Sequence, residues 1–110
     1  MNFRQYQNLS QTTAGHLNGG DAKLNLGIST LGIVGEAGEV SEIVKKYIGH
    51  GHLIDIDKIT KELGDVLWYI ADVAAQLGID LDDVATRNID KLKMRYPQGF
   101  THNDSINREE

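Results

Sequence analysis

Glu62-Leu63-Gly64-Asp65-Val66-Leu67-Trp68-Tyr69-Ile70-Ala71-Asp72 is the stretch whose reading decides the fold. At about 100° per residue, Ile59, Leu63, Val66, Ile70, Val73 and Leu77 fall on one stripe of a helix. Glu62, Asp65, Tyr69 and Asp72 fall on a second stripe about a quarter-turn away. Carboxylates therefore border a face that packs against something. Such a placement costs desolvation energy unless a cation or a hydrogen-bond donor compensates it. The pattern predicts a long helix with a chemical edge.

Outward from this helix the same periodicity recurs. Phe3 to Thr13 reads as a first helix, and Gly15 to Asp21 as a mobile loop by its glycine and asparagine content. Leu24 to Ile48 reads as a second helix that Asp21 or Asn25 can cap, with Gly32 or Gly35 as points where it could break. Its Ile33, Ala37, Val40, Val44, Tyr47 and Ile48 share a face, and Glu36 and Glu39 stand at the edge of that face. Gly35 and Gly38 inside a helix cost about 0.5–1 kcal/mol each against alanine, which suggests a close neighbour. Glu42 is placed to pair with Lys45 and Lys46 at i,i+3 and i,i+4, so solvated salt bridging accounts for it.

Gly49-His50-Gly51-His52 ends the second helix, and its histidines read as an exposed loop rather than a metal site. Asp55 or Asp57 caps the third helix, which stops at Gly78, and Asp80 caps a fourth helix that Pro97 closes. On the fourth helix Asn88, Lys91 and Arg95 form a polar stripe read as pointing inward. The expected architecture is all-α, a bundle of four to five helices completed by oligomerisation. Residues 1–100 form its domain, and residues 101–110 a polar, frayed tail.

Composition narrows the chemistry. The chain has 110 residues and a formal net charge of −5, which speaks against broad binding of a nucleic-acid polymer. It has no cysteine, so disulfides, thiol catalysis and zinc-thiolate sites are closed to it. No leader pattern opens it and its apolar runs fall short of a membrane span, so the expectation is a cytoplasmic protein without a membrane partner.

Glu36-Ala37-Gly38-Glu39 and Glu62-Leu63-Gly64-Asp65 each place two carboxylates one helical turn apart. Packed side by side, the two helices would gather four acids that a hard divalent ion makes favourable, magnesium before zinc. Asn88, Lys91 and Arg95 offer a neutral donor and two cations, the complement of a polyphosphate. Trp68 is a candidate for stacking on a base. A ferritin-like di-iron bundle wants Glu-x-x-His pairs, and none of these glutamates has a histidine three residues on.

Taken together, Gly35 to Glu42 and Lys61 to Tyr69, with Asn88 to Pro97 and Gly99-Phe100, resemble the compact single-domain MazG-like nucleotide pyrophosphohydrolases over residues 3 to 100. The resemblance implies Mg²⁺-dependent hydrolysis of a nucleoside triphosphate, a deoxynucleotide or non-standard nucleotide, to monophosphate and pyrophosphate, with Mn²⁺ as an alternative ion. Carried over position by position, Glu36, Glu39, Glu62 and Asp65 are the metal ligands and the catalytic acids. Asn88, Lys91, Arg95 and Trp68 are assigned to substrate binding. The resemblance also implies a homodimer or homotetramer, with Leu67, Ala71 and Ala74 as the candidate contact edge on the third helix. Gly35 departs from the many members that carry a second glutamate there. With no second helix-two acid to match it, Asp72 is expected in an outer-shell or solvent-facing role. The competing expectation is a non-catalytic helical module that binds nucleotide or protein.

Overall fold

A computed structural model describes residues 1–15 and 19–108. The expected loop around His16, Leu17 and Asn18 and the last two residues of the expected tail lie outside that range. Helix α1 spans Phe3–Ser10 and opens on a capping box: Asn2 Oδ1 accepts from the Gln5 amide, and Gln5 Oε1 accepts from the Asn2 amide. Its expected last turn is a 3₁₀ turn, Gln11–Thr13. There the Thr12 and Thr13 hydroxyls donate back to the Leu9 and Ser10 carbonyls, competing with the α-helical ladder.

Helix α2 spans Ala22–Gly49 from the Asp21 cap and runs unbroken past Gly32 and Gly35. At about 1.5 Å per residue it is some 40 Å long. Helix α3 spans Ile56–Gln76 from the Asp55 cap. It ends in a Schellman turn: Ile79 N–H donates to the Ala74 carbonyl and Gly78 N–H to that of Ala75, with Gly78 at φ +70°. Asp80 then caps α4, Leu81–Arg95. The expected frayed tail carries a short helix, α5, His102–Ile106, whose start is fixed by the Thr101 hydroxyl accepting from the Asp104 amide.

The organising contact is an antiparallel seam between α2 and α3. Asn25 meets Gln76, Ser29 meets Asp72, Gly32 meets Tyr69, and Glu36 meets Asp65. Each step of three or four residues along one helix is matched by the same step backward along the other. Gly32 is the close approach: a Cβ there would lie 2.4 Å from Tyr69 Cε1. Gly35 and Gly38, for which a close neighbour was expected, would each meet nothing within 4 Å.

α1 crosses the far end of α3 and locks the α3–α4 turn. Gln7, buried, donates from Nε2 to the Ile79 carbonyl at 2.9 Å and accepts at Oε1 from the Leu81 amide at 3.0 Å. Arg4 pairs with Asp80 at 2.7 Å. Ala71 and Ala74 are buried within the chain and Leu67 is half-buried, so two of the three residues expected to meet another subunit are already covered. The reason is local: α1 and α4 pack on that side of α3. No helix among the described residues is long and apolar enough to cross a membrane.

Candidate metal and substrate site

The seam brings three of the four expected carboxylates together. One oxygen from each of Glu36, Glu62 and Asp65 lies within 4.8 Å of the others. Glu36 comes from α2, while Glu62 and Asp65 come from successive turns of α3, so the two helices face each other across the cluster. Glu36 and Glu62 are half-buried and Asp65 is exposed. Desolvation raises the Glu36 carboxyl above the ordinary glutamate range, and the neighbouring charges of Asp65, Glu62 and Glu39 and a hydrogen bond to Glu62 raise it further. Like charges held this close favour a proton or a cation between them.

Glu39, the fourth expected acid, is not among these three, although its charge reaches Glu36. It is exposed one turn along α2 and lines an adjoining groove of about 330 Å³ with Glu62, Lys46 and Lys58. A carboxylate free to swing into solvent relaxes away from three like charges. Glu42 pairs with Lys45 at 2.9 Å and Lys46 at 3.9 Å, and the Lys45 hydrogen bond holds its carboxyl below the usual range.

The polar stripe of α4 is not inward. Asn88 and Lys91 are exposed, and Arg95 is half-buried. Lys91 and Arg95 line a cleft of about 580 Å³ with Arg108 at the end of α4, and none of the three clustered acids lines it. The helical period was right, but α4 packs on the chain chiefly through its first turns and leaves the rest of its apolar side, Ile89 and Met94 included, in solvent.

Trp68 braces α3 against the first segment, its indole N–H donating to the Ser10 carbonyl at 3.1 Å and to Thr13 Oγ1 at 2.8 Å. Its ring meets Tyr69 edge-on. Tyr6 was not singled out in the sequence; burial raises its phenol, and the charge of Asp65 raises it further, so α1 reaches the acid cluster electrostatically.

Asp72 is fully buried, against the solvent-facing alternative expected of it. Its carboxyl accepts from Ser29 Oγ at 2.6 Å, Gln76 Nε2 at 2.9 Å and Gln11 Nε2 at 3.1 Å. The match on helix two is not an acid but Ser29, seven residues before Glu36, just as Asp72 stands seven after Asp65.

Residues 28–100 match the model of the MazG nucleotide pyrophosphohydrolase domain. The chain belongs to the MazG family. Both acidic motifs and the α4 stripe of this MazG domain lie inside the matched range. The chain is also 38% identical over 109 residues to the Gene 37 protein of Mycobacterium phage L5, covering 94% of this chain and 96% of that one. No solved structure gives a significant match. The family carries nucleotide pyrophosphohydrolase activity, and the MazG domain here has the helical architecture that goes with it.

Proposed function

We propose that the protein hydrolyses a nucleoside triphosphate, a deoxynucleotide or a non-standard nucleotide, to the monophosphate and pyrophosphate in the cytoplasm. The observation that carries this reading is the convergence of Glu36, Glu62 and Asp65 oxygens within 4.8 Å across a seam of a MazG domain. The donor set is all carboxylate oxygen, which fits a hard ion, Mg²⁺ or Mn²⁺. The crowding that raises the Glu36 carboxyl is what a divalent charge would relieve. A bound ion of this kind supplies charge neutralisation at the phosphates and acidifies water near neutral pH.

The remaining work falls to the chain. Glu39, exposed one turn from Glu36 on α2, or Glu36 itself would take the proton of an attacking water. Lys91 and Arg95 would neutralise the phosphates and Asn88 would orient them, but on this chain the cleft that Lys91 and Arg95 line includes none of the clustered acids. We therefore assign completion of the site to a second copy. Two quantities support that. The chain exposes 8188 Å², where a compact monomer of its mass exposes about 6,000 Å². Its radius of gyration is 17.1 Å, where about 13 Å is ordinary for this length.

The test is pyrophosphate release from a panel of ordinary and modified triphosphates with and without Mg²⁺. Glu62→Gln should abolish release while circular dichroism keeps the helical signal. Full activity in that variant would sink the proposal, and Mg²⁺-dependent nucleotide binding with no pyrophosphate from any substrate would turn the reading to a binding module.

A further inference from the structure

A cleft of about 500 Å³ opens where the segment after α1, the start of α2 and the end of α3 meet, bounded by Gln11, Lys23, Asn25, Gln76 and Asp72 on its polar side and by Leu26 and Leu77 among its apolar walls. That volume lies in the range of small-molecule sites. Its floor lies on the seam that holds the acids. Ser29 and Asp72 are each seven residues from Glu36 and Asp65, hence on the same helix faces and about 10 Å along the axes. Tyr69, lying against Gly32, fills the layer between. A nucleotide whose reacting phosphate sits at the acids would carry its base to this level.

The hydrogen bonds define what the cleft offers such a base. Asp72 is buried and accepts from the amino ends of both Gln11 and Gln76, one on each carboxyl oxygen. Gln76 Nε2 also donates to Ser29 Oγ at 2.9 Å. The carboxyl group thereby dictates the orientation of both carboxamides: their nitrogens turn inward to it, and their carbonyl oxygens are what remain as acceptors.

We infer that this cleft is a base-reading subsite for the exocyclic amino group of a nucleobase, with Gln11 and Gln76 accepting its two hydrogens and Asp72 as their positioning residue. The inference rests on the pyrophosphohydrolase reading for the placement of the phosphates. An oxo group at the same ring position brings an acceptor against two acceptors and is rejected, as buried polar groups left unpaired reject an analogue.

The experiment compares substrates that differ in that group and in the hydrogen on the ring nitrogen beside it: dCTP against dUTP, and dATP against dITP. The wild-type chain should favour the amino member of each pair by about tenfold or more in kcat/KM. Asp72→Asn places an amide nitrogen where the carboxyl accepted, so at least one carboxamide must turn its nitrogen to the cleft; the amino preference should shrink or reverse. Should that variant fail to fold, Gln11→Leu, on a half-buried turn, should reduce the preference instead. A purely structural Asp72 would change stability and leave the ratio unmoved. Pyrophosphate released equally from amino and oxo members, or an unchanged ratio in a folded variant, would overturn the subsite and leave the hydrolase reading standing. If no triphosphate is hydrolysed, side-chain amide NMR signals of Gln11 and Gln76 titrated with deoxycytidine and deoxyuridine decide it alone: shifts with deoxycytidine only uphold the subsite, and no difference overturns it.

Discussion

Glu36 concentrates the electrostatic cost of the acid cluster. Its carboxyl is raised by desolvation first and then by Asp65, Glu62 and Glu39, so the fold holds its proton to higher pH than the unfolded chain does. The sign follows from linkage: where the folded state binds more protons, stability falls as pH rises, from about pH 4 upward through the folded value. Glu36→Gln should therefore raise the melting temperature of metal-free protein at pH 7, with the gain vanishing below about pH 4. The same variant should lose the rise that Mg²⁺ gives the wild type, on the order of 10 °C at a hundredfold excess over Kd. It should also lose about 10²-fold or more in activity, beyond what an outer-shell contact to a metal ligand costs. A metal-free Glu36→Gln that melts below wild type at pH 7 would contradict the crowding argument. At this scale the sequence was informative about which side of its own helix a residue takes: the spacing sets Glu62 and Asp65 together on α3, but it sets Glu36 and Glu39 together on α2 as well, and only Glu36 joins the group. The place of Asp72 did not follow from spacing, because its partners Gln11 and Ser29 come from other segments, and an acid was sought opposite it where a hydroxyl stands.

The seam between α2 and α3 is set by where backbones can approach. Gly32 admits the Tyr69 ring, and Gly32→Ala would drive a methyl to 2.4 Å from Cε1. Overpacking of this kind costs about 1–3 kcal/mol, and the gain in helix propensity of up to about 1 kcal/mol does not offset it. Gly38→Ala meets nothing within 4 Å in the chain, so the propensity term stands alone and stability should rise by about 0.5–1 kcal/mol. Opposite signs in urea unfolding for two glycine-to-alanine changes on one helix would verify the register; equal signs would refute it. The α1–α4 junction gives a pH test. Arg4, chiefly through its hydrogen bond, and the Asp82 amide hold the Asp80 carboxyl below the usual aspartate range. A depressed carboxyl contributes above about pH 4 and the contribution is lost as pH falls through the folded value. The small melting deficit of Arg4→Ala at pH 7 should accordingly close in strong acid; a deficit that widens there would exclude the ion pair as its cause. Helix limits were legible because caps are local chemistry: Asp21, Asp55 and Asp80 all cap. The 3₁₀ turn at Gln11–Thr13 and helix α5 were not, since short turns leave no period to read.

The whole chain has a thin core for its composition. The only apolar side chains among the described residues that are buried are Ala14, Ala71, Ala74 and Leu81, while Leu24, Ile28 and Leu31 lie exposed in a stripe on α2, and Ile56 and Leu63 on one face of α3. The surface excess of about 2,000 Å² per chain is of the size an obligate homodimer buries. The edge expected for an assembly does not serve it, because a single helix cannot say whether its second apolar side meets its own chain or another, and here Ala71 and Ala74 meet their own. Leu67, Ala71 and Ala74 were drawn to α1 and α4; the α2 stripe was left over. If that stripe is the contact, Leu31→Glu puts a charge at the centre of the interface, where an unpaired buried charge is costly. Sedimentation of the wild type at micromolar concentration should give a dimer or larger, and Leu31→Glu a species of half the mass or less, with pyrophosphate release reduced about 10²-fold although every acid of the cluster is intact. Recovery of activity as Leu31→Glu is concentrated would tie the loss to association, because mass action restores the missing neighbour and with it the basic stripe of the second α4. A wild-type monomer that turns over at full rate would place all the phosphate contacts within one chain, and Asn88, Lys91 and Arg95 would then lose their assignment.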